Sequence, residues 1–277
     1  MNLKHLISGV LFLWLSSAMA AIAEEDSDVV YDAGPYMEAG VGVIGQMLAN
    51  YRGSTYYSTE FLPIPYFLYS GTIFKIDKGG VRGEFVTSPR FELNVSVAGS
   101  LNGDADDNPL REGMPKLDSS FEVGPAINVN LTGEDLREGW SLRMPFRGVF
   151  AFDSGGIDYV GYLLNPRLSW RMPETFYDWR LSFNVGVVWA DKRYNSYYYE
   201  VEPQYALPTR PAYKAQSGYG GSSLSVGLYR HVGTWRLGAS LRYDYLGGAK
   251  FEDSPLVETL HSGSFSFGAS KQLWSNR

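Results

Sequence analysis

Trp179-Arg180-Leu181-Ser182-Phe183-Asn184-Val185-Gly186-Val187-Val188-Trp189 alternates a large apolar residue with a small or polar one and carries a tryptophan at each end. On a strand, alternate side chains face opposite ways. Trp179, Leu181, Phe183, Val185, Val187 and Trp189 therefore share one face, and Arg180, Ser182, Asn184 and Gly186 share the other. Ten steps of about 3.3 Å, tilted by roughly 40°, rise about 25 Å, the height of the apolar band on a membrane barrel. The two tryptophans then fall where the aromatic girdles belong.

The spacing recurs. In residues 140–150, Trp140, Leu142, Met144, Phe146 and Phe150 share a face opposite Ser141, Arg143 and Arg147. In residues 235–245, Leu237, Ala239, Leu241 and Tyr243 lie between terminal aromatics, opposite Arg236, Ser240, Arg242 and Asp244. Arginine-bearing faces need water, whereas the apolar faces need lipid or a core. A soluble β-sandwich also alternates, but its strands usually run about five or six residues. The pattern predicts an all-β fold, a transmembrane antiparallel up-and-down β-barrel.

The first residues predict export. Lys4 supplies a positive start, residues 6–15 an apolar core, and Ala18-Met19-Ala20 a cleavage site, with Ala21-Ile22-Ala23 as a second. A signal peptide over 1–23 is expected, cut after Ala20 or Ala23. The apolar core is too short for a spanning helix, which needs about twenty residues. Loss of 1–23 removes one lysine and no acid, taking the net charge from −6 to −7 over residues 24–277. That argues against nucleic acid as a partner. With no cysteine, disulfides, thiolate metal sites and a lipidated anchor are excluded. Mean hydropathy of −0.19 suits strands of which only every second residue meets lipid.

About twelve strands in a single domain are predicted, near 36–45, 60–70, 71–78, 80–87, 90–101, 118–130, 139–152, 157–171, 177–190, 218–231, 233–246 and 261–274. The number falls to ten if 71–87 pairs differently. Lys78-Gly79-Gly80, Asp153-Ser154-Gly155-Gly156 and Val232-Gly233-Thr234 read as turns. Pro63 and Pro65 predict a bulged or poorly paired segment. The long connections, 46–59, 102–117, 191–217 and 247–260, all follow odd strands, so they lie at one end, the extracellular one. The chain ends Trp274-Ser275-Asn276-Arg277, where such barrels usually close on an aromatic residue.

Three motifs fail on inspection. Gly40-Val41-Gly42-Val43-Ile44-Gly45, with Glu60 beyond, imitates a dinucleotide fingerprint, but it sits in an alternating strand and not before a helix. Glycines there relieve crowding in a curved wall. Asp104-Ala105-Asp106-Asp107-Asn108 imitates a calcium loop, yet Pro109 and Pro115 stand where glycine and a bidentate glutamate are required. Of His231 and His261, the second adjoins Ser262, but strand neighbours point to opposite faces and cannot form a base and nucleophile pair. No catalytic, cofactor-binding or metal residue is assigned, and the chain is expected not to be an enzyme. The loop from 191 to 220 holds Tyr194, Tyr197, Tyr198, Tyr199, Tyr205, Tyr213 and Tyr219. It either folds back over the mouth and headgroups or offers contact area to a partner.

Tyr51-Arg52-Gly53-Ser54, Leu62-Pro63-Ile64-Pro65-Tyr66, Asn108-Pro109-Leu110-Arg111 with Leu117-Asp118, Trp189-Ala190-Asp191-Lys192-Arg193-Tyr194, Pro211-Ala212-Tyr213 and Asp253-Ser254-Pro255-Leu256-Val257 together resemble the MipA/OmpV family of outer-membrane proteins, the MltA-interacting protein family. The resemblance implies a barrel in the cell outer membrane of a Gram-negative bacterium, in contact with outer-membrane lipid and lipopolysaccharide. It also implies a cell-envelope scaffold that joins a peptidoglycan-cleaving lytic transglycosylase to a bifunctional penicillin-binding synthase. The family brings no catalytic motif. Two other readings stay open: a small-solute channel, from Arg143, Arg147, Arg180, Arg236 and Arg242, and a surface adhesin, from the tyrosine loop. Those arginines alternatively plug the interior by pairing with Asp244 and other acids.

Overall fold

The structure, a computed structural model, describes residues 36–70, 74–77, 80–88, 90–100, 108–132, 138–153, 155–172 and 178–276. The predicted leader, the turn residues Lys78, Gly79 and Ser154, and the calcium-like residues 104–107 lie outside them. The described strands are β1 (Tyr36–Ala49), β2 (Tyr57–Ser70), β3 (Phe74–Asp77), β4 (Gly80–Ser88), β5 (Phe91–Ser100), β6 (Ser119–Asn130), β7 (Gly139–Asp153), β8 (Gly156–Leu164), β9 (Arg167–Arg171), β10 (Trp179–Ala190), β11 (Gly218–Val232), β12 (Trp235–Tyr245) and β13 (His261–Ser275).

Apart from β8 and β9, every pair of neighbours in chain order is hydrogen-bonded antiparallel, and β1 pairs with β13 from Glu38↔Ser275 to Met47↔Phe265, so the sheet closes on itself. Closure removes the unpaired edges that an open sheet of this size would expose. Strands β8 and β9 form one stave, because both pair with β7 and with β10. The stave breaks at Asn165-Pro166, where proline cannot donate. Asn165 repairs the gap, its Nδ2 donating to the Val187 carbonyl at 2.9 Å while the Pro166 carbonyl accepts from Val187 N at 3.1 Å. Twelve staves result, of which β3 has only four residues, so about eleven carry the wall over its height. The expected twelve positions are all occupied.

Two expectations shift. Strand β1 runs on to Ala49 and β2 begins at Tyr57, so the first long connection is only residues 50–56, not 46–59. Alternation simply continues past Gly45, with Gln46 buried and Met47 exposed. The segment with Pro63 and Pro65 is not bulged against β1, where pairing is unbroken from Tyr36↔Ser70 to Ala49↔Tyr57. Its far edge, however, pairs among the described residues only at Tyr69 and Ser70. A strand edge without a ladder is where proline is tolerated.

The apolar faces point outward. Phe61, Val185, Leu224, Leu241 and Phe265 are exposed around the wall. At the end of the short turns stand Trp140 and Trp170, 6.4 Å apart, with Trp179, Trp235 and Trp274. At the other end the exposed aromatics are mainly tyrosines: Tyr57, Tyr159, Tyr162, Tyr243 and Tyr245, with Trp189. Lys271 and Arg230 lie over the rings of Trp235 and Trp179, at 5.5 and 5.8 Å. An outward apolar belt between two aromatic girdles is the surface that suits a bilayer.

Candidate functional site: a loop cap over an arginine-lined lumen

Among the described residues, the largest buried apolar cluster lies above the wall of the barrel. Tyr51, Leu117, Tyr198, Tyr199, Val201, Leu246, Ala249, Phe251 and Leu256 form it, contributed by all four long connections. A polar lumen cannot supply a hydrophobic core, so the loops build one above it.

The loop after β10 shapes this cap. Asp191 caps helix α1 (Lys192–Tyr199), its Oδ1 accepting from Tyr194 N at 2.9 Å and from Tyr162 N at 3.1 Å. A side-chain acceptor satisfies amide groups that a helix start leaves open. Gly161, at φ +140°, lets the helix approach, since a Cβ there would lie 2.6 Å from Tyr194 N. The helix thus rests within the mouth, with Tyr194 and Tyr197 packed on Val149, Ala151, Val160, Leu163 and Ala190.

Hydrogen bonds bind the four loops to each other. Tyr199 Oη donates to the Arg52 carbonyl at 3.0 Å, and Ser254 Oγ to the Tyr199 carbonyl at 2.7 Å. Tyr51 Oη donates to the Leu256 carbonyl at 2.8 Å. Arg111 is buried, with Nη1 on the Tyr198 carbonyl and Nη2 on the Pro115 carbonyl, and its guanidinium sits 5.9 Å from the centre of the Tyr51 ring. Asn108 caps the 3-10 turn Pro109–Arg111 and donates to Ser54 Oγ at 3.1 Å. Burial pushes the Tyr51 phenol up to about 12, with Arg111 pulling the other way. It raises Tyr194, Tyr197 and Tyr199 as well. These phenols are held neutral, Tyr51 and Tyr199 donating to carbonyls while Tyr197 Oη accepts from Asp118 N at 2.8 Å.

The inner wall is polar. Arg143, Arg147 and Arg236 are each less than a tenth exposed, Arg180 stands opposite buried Tyr229 and Arg242 shares the face of Ser240, so all five arginines expected in the lumen point into it. Three are paired with acids, as the plugged alternative requires. Arg147 Nη1 donates to Glu122 Oε2 at 3.1 Å. Arg242 is bidentate on Asp244 at 2.7 and 2.8 Å, and Arg52 reaches the same carboxylate at 3.0 Å. Arg236 bonds both oxygens of fully buried Glu38, which also accepts from Tyr66 Oη at 2.6 Å. Gly40 makes room for that tyrosine, because a Cβ would stand 2.5 Å from its ring.

Alternation pointed to the wall arginines but not to three others. Arg167 and Arg171 are also inward, opposite Gly186 and Ser182, and could have been found by extending the alternation past Trp170. Arg52 comes from a loop, where no periodicity exists to read. The rejected motifs stand elsewhere. Gly42 and Gly45 lie within β1, where a Cβ at Gly45 would meet the Phe267 ring at 2.4 Å. His231 packs edge-on against Tyr229, and His261 beside Tyr243 and Tyr245 on the outer face. Ser262 is buried on the inner face, accepting from Gly53 N at 3.2 Å.

No curated protein matches the chain. Among solved structures, an outer membrane channel from Pseudomonas putida F1 aligns at 10% identity over 88% of this chain and 97% of that one, with a TM-score of 0.45. The translocator domain of the autotransporter NalP from Neisseria meningitidis aligns at 11% identity, 89% and 91%, TM-score 0.40. Pseudomonas putida OprB aligns at 9% identity, 87% and 95%, TM-score 0.40. Likenesses of this size carry no argument about this chain. The model of the family described as MltA-interacting protein MipA matches residues 40–272, from the first strand of the wall to the last and through every loop of the cap. The chain belongs to the MipA family.

Proposed function

We propose that the chain is exported under its leader, inserts into the outer membrane of a Gram-negative cell, and acts there as a non-enzymatic interaction protein. In this reading its periplasmic end holds a lytic transglycosylase and a bifunctional murein synthase near one another. The observation that carries it is the family match over 40–272, since the family is described by its interaction with MltA. The belt and girdles support the membrane, and the lumen's paired acids and bases support a static barrel.

The geometry also weakens the adhesin reading. Its motivating tyrosines are spent within the cap, where Tyr198 and Tyr199 are almost wholly buried. The test uses the folded barrel, immobilised in detergent, and a purified lytic transglycosylase. Retention above that on an unrelated barrel is expected, and equal retention on both would end the proposal.

A further inference from the structure

We propose that the rim above β8, β10 and β11 is a docking surface for the phosphate groups of an outer-leaflet lipid, held by Lys192, Arg193 and Lys250 over the aromatic girdle. It rests on the reading of the chain as an outer-membrane barrel and is independent of the scaffold role.

The chain crosses the rim at Asp191. Its N–H donates to the Tyr162 carbonyl at 3.1 Å, and its Oδ1 accepts from Tyr162 N and Tyr194 N. Lys192 and Arg193, the first two residues of α1, are therefore pinned at the top of β8, and both are exposed. Arg193 turns back onto the wall, its guanidinium 5.2 Å from the centre of the Tyr159 ring. Tyr159 and Tyr162 are exposed on the outer side of β8, since Val160 and Leu163 on its inner side pack under the cap.

The neighbouring staves continue this surface. Trp189 on β10 is exposed and lies against Tyr219 on β11, with ring centroids 6.1 Å apart. Lys250 is fastened to the same tyrosine, its N–H donating to the Tyr219 carbonyl at 2.8 Å. The Lys250 stem runs along Gly218, where a Cβ would lie 2.6 Å from Lys250 Cγ, and the residue is exposed. Neighbouring strands lie about 4.8 Å apart, so the three cations stand over a strip on the order of 10 Å wide.

These cations are uncommitted. Among the described residues, the side chains of Lys192, Arg193 and Lys250 make no hydrogen bond or ion pair. The adjacent acids are turned elsewhere: Asp191 to the two amides, and Glu252 to Gly248 N. Asp158, next to Tyr159, forms no ion pair with them. In contrast, Arg147, Arg236 and Arg242 of the lumen each bond a carboxylate, and Arg230 at the other girdle reaches Asp178 at 3.4 Å.

Girdle tyrosines and tryptophans sit at headgroup level, and basic residues just beyond them meet lipid phosphates. The Arg193 fork matches phosphate oxygens, and the two ammonium groups act as point charges beside it. A free anion would meet only the cations. A lipid also covers Tyr159, Tyr162 and Trp189, which selects the lipid as occupant.

The test first inserts the full barrel into phosphatidylcholine vesicles. It then measures, in detergent by native mass spectrometry, the affinity for bisphosphorylated lipid A and for the same lipid stripped of its phosphates. A preference for the phosphorylated form on the order of a hundredfold is expected, from the ordinary attraction of each basic residue to an anionic surface. Most of it should vanish in the Lys192→Gln, Arg193→Gln, Lys250→Gln variant. It should persist in Lys271→Gln, whose cation lies over Trp235 at the other end. No preference, an equal loss in Lys271→Gln, or displacement of the lipid by inorganic phosphate at equal concentration overturns the docking surface. Heat-modifiable mobility reports folding of each variant. Should the triple variant not fold, Lys192→Gln with Arg193→Gln replaces it, with a smaller loss expected and an undiminished preference overturning the proposal. A barrel that inserts without preferring the phosphorylated lipid leaves the membrane reading standing, whereas one that does not insert overturns both.

Discussion

The ring of Tyr199 stacks on that of Phe251, with centroids 3.7 Å apart and planes within 6°. This contact joins the end of helix α1 to the loop between β12 and β13. Both rings are at most 3% exposed, so it is the centre of the cap.

Phe251→Ala should therefore open the cap and spare the wall. A buried phenylalanine truncated to alanine costs about 3–5 kcal/mol. Limited proteolysis should begin to cut within 191–217, while the heat-modifiable gel mobility of the barrel stays as in the parent. Unchanged protease resistance would show that the stacking is not what holds the loops.

Alkali should loosen the same cap. The Tyr51 phenol is raised from 10.0 to about 12 by burial, so its neutral form is the one the fold favours. The stability it contributes is complete below pH 10 and is lost as the pH climbs through about 12. Ultraviolet absorbance at the phenolate band should rise in two phases, exposed tyrosines first. The second phase should coincide with the onset of loop proteolysis.

Glu38 and Arg236 should be separable only at a cost. Glu38 is fully buried, so Arg236→Met leaves a carboxylate without its counter-charge, costing about 3–5 kcal/mol. Replacing both by methionine should recover most of that loss. Urea titration of the three variants in detergent checks the order. Equal destabilisation in the single and double variants would refute it.

Leu241 is 61% exposed midway along β12, whereas its neighbour Ser240 is 7% exposed on the inner face. Leu241→Arg should weaken insertion into phospholipid vesicles by about 2–4 kcal/mol, as expected for a charge facing the bilayer midplane. Leu241→Phe should be close to neutral. If the arginine variant inserts as well as the parent, this face does not meet lipid.

The wall was legible residue by residue. Alternation and turn signals together placed about twelve strands, of which about eleven carry the wall, and alternation turned Arg143, Arg147, Arg180, Arg236 and Arg242 inward, because a strand's two faces are a local property of the backbone. Loop parity assigned the long connections to one end for the same reason. Irregular segments carry no such period. Nothing local in Tyr51, Arg111, Tyr199 or Phe251 says that they meet, since their contacts span up to about two hundred residues of chain and exist only once the barrel has closed. The segments that carried the family resemblance turn out to be mostly the segments of the cap. Sequence alone determined a membrane barrel with arginines on its inner face, because alternation is dictated by backbone geometry. Only the tertiary structure decided that the loops form a packed lid and that Arg143 stands opposite Arg167, because both depend on the register of a closed sheet.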